Sequence, residues 1–176
     1  GLALSGAQAG NYALTQPTGV AAAITPAPLT ITGVTASNKT YDGTTTATLT
    51  GTPVLAGGIA GDNLTLVASG ATGAFAGPGV GSSLTVTTAG YSVSGTDAGN
   101  YTLTPPTTTA DITAKNLTVT GITAANKTYD ATTAASLNST GAVLVGVVGS
   151  DDVTPVTTGV AGSFGDKTVG SGKAVT

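Results

Sequence analysis

Cysteine, histidine, tryptophan, methionine, arginine and glutamate are all missing from this chain of 176 residues. Without cysteine there is no disulfide framework, which suits a chain that crosses membranes unfolded. Without histidine, cysteine, glutamate or arginine, acid–base and nucleophilic chemistry has little to work with. No nucleophile elbow or phosphate loop appears either, so no enzymatic activity is expected. Five lysines against eight aspartates give a net charge of −3, which excludes the clustered basic surface that nucleic acid requires. No apolar run approaches the roughly 20 residues of a membrane-spanning helix. A charged leader segment is missing at Gly1, so the stretch reads as excised from the interior of something longer.

What remains is dominated by 37 Thr and 27 Gly. Charged residues make up only 7%, against roughly a quarter in an ordinary globular domain. Disorder is not implied, because it normally goes with high charge and few β-branched residues. Thr, Val and Ile instead suit pleated, half-buried surfaces.

The chain repeats itself. Asn38-Lys39-Thr40-Tyr41-Asp42-Gly43-Thr44-Thr45 returns as Asn126-Lys127-Thr128-Tyr129-Asp130-Ala131-Thr132-Thr133. Gly10-Asn11-Tyr12 returns as Gly99-Asn100-Tyr101, within longer matching stretches. Self-similarity at such a period is the mark of a repeat architecture.

Within each period, short segments alternate apolar and polar residues between Gly or Pro clusters. Expected strands are Leu2–Leu4, Tyr12–Thr15, Ala22–Thr25, Leu29–Thr32, Ala47–Leu49, Leu64–Val67, Ala74–Phe75, Leu84–Thr87, Tyr91–Val93, Tyr101–Thr104, Ala110–Thr113 and Leu117–Thr120. Pro17 and Pro105-Pro106 are expected to stop strands. Pro26-Ala27-Pro28 and Ala114-Lys115-Asn116 read as breaks between repeats. The best helical candidate, Ala134 to Val148, is spoiled by its glycines and valine run. The expected fold is all-β: tandem small β domains, sandwich or β-grasp-like, in an elongated array with little or no helix. Residues 1–27 read as the C-terminal strands of a preceding repeat, 28–115 as one complete repeat and 116–176 as an incomplete successor. An alternative division is permuted, into 1–89 and 90–176.

The signature Asn38, Lys39, Tyr41, Asp42, Gly43, with its copies Asn126, Lys127, Tyr129 and Asp130, reads as structural. Asp bonds its own backbone at a turn, Gly43 takes positive φ, and Tyr41 buries its ring while its hydroxyl finds a partner. Ala131 in place of Gly argues against a required positive φ at that position. The turn residues Gly10, Asn11, Tyr12, Gly99, Asn100 and Tyr101 form the second recurring element.

The signature, with the later Gly-Asp, Gly-x-Phe and Ala-Gly-Asn-Tyr-x-Leu-Thr, resembles the YDG-type repeats of large bacterial surface adhesins. Those include proteins similar to filamentous haemagglutinin, and MBG-type repeats are related. The resemblance covers essentially the whole chain. It implies secreted, extracellular proteins of the Gram-negative cell surface whose tandem β domains form a stalk or fibre. It implies no catalytic residues.

Other chemistry is weaker. Asp62, Asp151 and Asp152 sit at equivalent loop positions as calcium candidates, but neither an EF-hand nor a nonapeptide calcium repeat surrounds them. An isopeptide bond at Lys39 or Lys127 would need a dry site with a catalytic carboxylate, and Glu is absent. Asn-x-Thr triplets at Asn38, Asn63, Asn100, Asn116 and Asn126 follow from threonine abundance. No cofactor is expected. The expected function is a structural stalk segment of an adhesin, whose partners are neighbouring repeats. The strands of residues 1–27 are those that residues 117–176 lack, so head-to-tail strand complementation between molecules is also expected. The alternative is a direct binding module for glycan or host protein, with Tyr12, Tyr91 and Tyr101 stacking on sugars.

Overall fold

A computed structural model describes all of residues 1–176. The protein is all-β; its only helical residues are two short 3-10 turns, Ala9–Asn11 and Ala98–Asn100. No helix is long and apolar enough to cross a membrane.

One repeat is fully assembled. Its strands are β1 (Ala27–Ala36), β2 (Lys39–Thr40), β3 (Thr46–Ala47), β4 (Leu49–Ala56), β5 (Thr65–Val67), β6 (Thr72–Phe75), β7 (Gly81–Ala89), β8 (Ser92–Ser94), β9 (Tyr101–Thr104) and β10 (Thr107–Thr113). β1 is the centre of a three-stranded sheet, antiparallel to β4 and parallel to β9. A five-stranded sheet runs in the order β2-β10-β7-β6-β3, with β2 and β10 parallel. β5 and β8 form a separate antiparallel pair.

Period-two alternation builds the core. β1 buries Leu29 and Ile31 and turns Thr30 and Thr32 outward; β10 buries Ala110 and Ile112. Ala47, Phe75 and Val86 join Ala110 and Ile112 in one cluster, with Tyr41, Leu49 and Leu84 packed against it. β10 lies between β2 and β7, so it closes that core.

Two prolines lie inside strands. Pro28, expected in an inter-repeat break, sits in β1, opposite Thr102 of β9. β4 joins β1 only from Thr30, so the missing N–H falls where one side of β1 is open. Pro53 lies in β4, an edge strand, where the register shifts between Thr32 and Val34. That bulge demands Gly33, at φ +77°: a Cβ there would lie 2.3 Å from the Thr52 carbonyl oxygen.

The second repeat keeps the registers and loses the packing. Its strands are β11 (Thr118–Thr120), β12 (Thr123–Ala124), β13 (Ala134–Ala135), β14 (Leu137–Asn138), β15 (Val143–Val145) and β16 (Gly162–Ser163), in three two-stranded ladders. Thr118 faces Val145 as Thr30 faces Ala56, and Ala124 faces Leu137 as Ala36 faces Leu49. The extra residue of this copy falls between β14 and β15, where β1 and β4 of the first repeat stay in one ladder. All eight buried residues of the chain belong to the first repeat. No strand plays the part of β10 among residues 114–176, so the counterpart core stays open.

Residues 1–26 correct the sequence reading most sharply. The strands expected at Leu2–Leu4, Tyr12–Thr15 and Ala22–Thr25 do not form. Their counterparts β8, β9 and β10 exist because β5, β1, β7 and β2 pair with them. The tail has no such partners, and Ile24, the counterpart of the fully buried Ile112, is fully exposed.

Candidate functional site: lysine cages and a repeat joint

The signature folds as a cage around an ammonium group. Lys39 Nζ donates to Asp42 Oδ1 at 2.8 Å, the Thr44 carbonyl at 2.8 Å, Thr44 Oγ1 at 2.9 Å and the Thr46 carbonyl at 3.1 Å. It stands 5.7 Å from the centre of the Phe75 ring, within cation–π range. Asp42 Oδ1 also accepts the Thr44 amide at 2.9 Å and the Thr44 hydroxyl at 2.8 Å. These donors favour the carboxylate, and the Lys39 ammonium foremost holds the Asp42 carboxyl at about 2.

The second copy reproduces the cage. Lys127 Nζ reaches Asp130 Oδ1 at 2.7 Å, the Thr132 carbonyl and hydroxyl at 2.9 Å each, and the Ala134 carbonyl at 3.0 Å. The Phe164 ring centre is 5.9 Å away, and Asp130 is likewise held at about 2, chiefly by Lys127. The turn needs a left-handed residue after the aspartate. Gly43 has φ +76°, and Ala131, whose presence argued against that requirement, adopts φ +65°. The reading that Ala131 weakens the case for positive φ there is therefore overturned: the ammonium, in contact with four oxygens, fixes the loop, and the alanine bears the strain.

A third cage escaped the sequence reading. Lys173 donates to Asp166 Oδ1 and to the carbonyl and hydroxyl of Thr168, while Thr168 donates back to Asp166. Lys173 foremost pushes the Asp166 carboxyl well below the usual carboxylate range. The sequence trace of this cage is the triplet Asp166-Lys167-Thr168, like Asp42-Gly43-Thr44 and Asp130-Ala131-Thr132, but Asp111-Ile112-Thr113 and Asp152-Val153-Thr154 share that pattern and form no cage, so the triplet alone does not mark one. Thr44 and Thr132, walls of the first two cages, were missed with it.

The other signature residue fastens the cage to the closing strand. Asn38 Oδ1 accepts the Asp111 amide at 2.7 Å, and Asn38 Nδ2 donates to Asp111 Oδ2 at 3.3 Å. Its copy Asn126 meets no such strand. With Lys127, Tyr129, Phe164, Asp166 and Val175 it lines an open cleft of about 430 Å3.

Of the three aspartates considered for calcium, Asp62 and Asp151 accept tyrosine hydroxyls. Tyr101 donates to Asp62 at 2.5 Å, and its oxygen accepts the Ile59 amide at 3.0 Å. Asp97, just before the Gly99-Asn100-Tyr101 turn, accepts the Asn63 amide at 2.8 Å, so this turn and the Asp62 loop are pinned together. Asp151 accepts Tyr41 at 2.9 Å. Each carboxylate raises the pKa of its tyrosine by holding the proton. No group of three carboxylates comes close enough to hold a metal ion. Gly10, Asn11 and Tyr12 form the same 3-10 turn as Gly99 to Tyr101, but Tyr12 is left exposed.

The Tyr41–Asp151 bond crosses from one repeat to the next. The ring of Tyr41 packs on the core of the first repeat, and its amide donates to the Thr113 carbonyl at the end of β10. Its hydroxyl reaches over the Ala114-Lys115 linker to the Asp151 loop of the second. Val80, Leu117, Val147 and Val148 line a groove of about 200 Å3 beside it.

Fold and site together define a tandem-repeat all-β protein whose recurring residues support structure within and between repeats. The family model of the YDG domain matches residues 25–110 and 113–176, and the chain belongs to that family. Comparison with curated proteins and with solved structures finds no match.

Proposed function

We propose that this protein is a non-catalytic stalk or fibre segment of a secreted bacterial surface adhesin similar to filamentous haemagglutinin. Its repeats hold a binding domain, carried elsewhere, away from the cell. The observation behind this reading is the joint at Tyr41 and Asp151, which ties one YDG repeat directly to the next. The recurring polar residues are spent on cages and pins. The test is deletion of one repeat from the parent protein. A shorter fibre in electron micrographs with unchanged adhesion per molecule supports the reading. Loss of adhesion with normal display overturns it.

Strand complementation belongs to the same reading. The segment Thr18–Thr25 ends in Ala22–Thr25, which matches Ala110–Thr113 at the end of β10, with Ile24 unpaired and exposed. The 430 Å3 cleft lies between the counterparts of β2 and β7, where β10 sits in the first repeat. A neighbouring molecule's Thr18–Thr25 fills that cleft by strand addition. Light scattering over a concentration series shows a ladder of assemblies if so, and a constant monomer if not.

One observation favours a second reading, direct binding. Tyr91 and Tyr101 share a cleft of about 280 Å3 with Val93 and Leu103, an apolar floor on which a sugar ring can stack. A glycan array that lights up and goes dark with Tyr91→Ala would favour it. An array without hits removes it.

A further inference from the structure

The joint between the two repeats is assembled once; its donor half occurs again without a partner, and its acceptor half occurs again holding only the Tyr101 hydroxyl of its own repeat. The donor half of the filled joint is Tyr41 with Gly43; the acceptor half is Val147-Val148 with Asp151. The free donor half is Tyr129, 59% exposed where Tyr41 is half-buried. The other acceptor half is Gly58-Ile59 with Asp62. Ile59 is 64% exposed, whereas its counterpart Val148 is half-buried. The two acceptor loops share one backbone: the Asp62 amide donates to the Ile59 carbonyl at 3.2 Å, and the Asp151 amide to the Val148 carbonyl at 3.0 Å.

We propose that the signature tyrosine and the apolar–Asp loop are complementary halves of one head-to-tail docking surface, whose partner is the next repeat of the same kind. Three features carry this. First, the donor is rigid, because Tyr41 is fixed by its ring and its amide before the linker begins. Its hydroxyl arrives at Asp151 without ordering a loose side chain. Second, Gly43 gives the filled joint its close approach: a Cβ there would stand 3.1 Å from Val148 Cγ1, so the free donor half, which carries Ala131 at that position, needs the facing side chain to give by a few tenths of an ångström. Third, the acceptor has capacity for two tyrosines. Asp62 receives Tyr101 from its own repeat through one oxygen, and an ionised carboxylate offers about four lone-pair sites. Asp62 can thus hold its own tyrosine and still take one from a preceding repeat. A contact between unlike surfaces repeats indefinitely along an array. The joint's part in a stalk rests on the function proposed above; the joint itself does not, and its test reads the joint alone.

The chain has no cysteine, so Thr72→Cys in β6 and Ser136→Cys in the second repeat give two unique spin-label sites on exposed positions. In the otherwise unaltered chain, pulsed electron resonance should give one narrow distance distribution. Tyr41→Phe keeps the ring and removes the hydroxyl; Asp151→Ala removes the acceptor and leaves the first repeat untouched. Each should lose the narrow distribution, and the pair together should lose no more than either alone. Melting of the first repeat should be unchanged in Asp151→Ala. A narrow distribution retained in that variant, or a broad one already present in the unaltered chain, overturns the proposal. Loss of the joint would remove the observation that supports the stalk, whereas the stalk itself is tested separately by deleting a repeat from the parent protein.

Discussion

Ile112 and Ile24 occupy the same place in the repeat and opposite environments: Ile112 is 1% exposed, and Ile24 is bare. Ile112 is enclosed because β2 and β7 flank its strand; no strand flanks Ile24. A residue's burial here is a property of its neighbours in the array and not of its own segment.

Ile112→Ala should therefore destabilise the first repeat by about 3 kcal/mol, the usual cost of emptying a buried aliphatic site. Ile24→Ala should leave the melting of dilute protein unchanged. At high concentration the same change should weaken association, since burying an isoleucine is worth about 2 kcal/mol. Light scattering and thermal melts on both variants separate the two effects. An equal response to both substitutions would contradict the assignment of Thr18–Thr25 as an unpaired β10.

Acid should loosen the cages at a known place. Asp42 and Asp130 are depressed from 3.8 to about 2, so they bind a proton less readily in the folded chain than in the unfolded one. Their contribution to stability is complete above the unfolded value near 4 and is lost as pH falls through about 2. Carboxyl carbon NMR should show both titrating near about 2. Titration at the ordinary carboxylate value would mean that the cages are open in solution.

Alkali should act on the tyrosine pins in the opposite sense. Tyr41 and Tyr101 are raised above 10 by the carboxylates that accept their protons. The two pins therefore stabilise the structure fully below pH about 10 and are lost as pH rises through the raised values. Ultraviolet titration of the variant Tyr101→Phe should remove one late-ionising group and leave Tyr41. Loss of both would show that the pins are coupled.

The left-handed position gives a reciprocal pair. Gly43→Ala should cost about 1 kcal/mol through its φ of +76°, and more through contact with Val148. Ala131→Gly should relieve a strain of about the same size. Hydrogen exchange of the Thr44 and Thr132 amides, each bonded to its cage aspartate, reads the two turns separately.

Local chemistry was legible in the sequence, and long-range pairing was not. The 3-10 turn at Ala9–Asn11 forms beside no sheet at all, because its bonds run only to Gly6, Gln8 and Ala9. Tyr12–Thr15 follows it with the same alternation as β9 and forms no strand, because a ladder needs a partner that alternation cannot supply. Pro28 misled for a related reason: a proline stops a strand only where its N–H is wanted, and β4 is not yet alongside. The signature advertised its Asp turn, but the lysine at its centre is recognisable only when Thr44, Thr46 and Phe75 are brought round it. The Tyr41–Asp151 bond, spanning 110 residues, had no local signal.

The cages also sort the lysines by reactivity. Lys39, Lys127 and Lys173 have their amines turned inward onto oxygen acceptors. Lys115 and Lys167 are exposed and hold no such bonds. Amine-directed acylation should reach Lys115 and Lys167 first, and trypsin should prefer the same two residues. Lys115 lies between the two repeats, so digestion there would cut the array at its link and spare the assembled unit beside it.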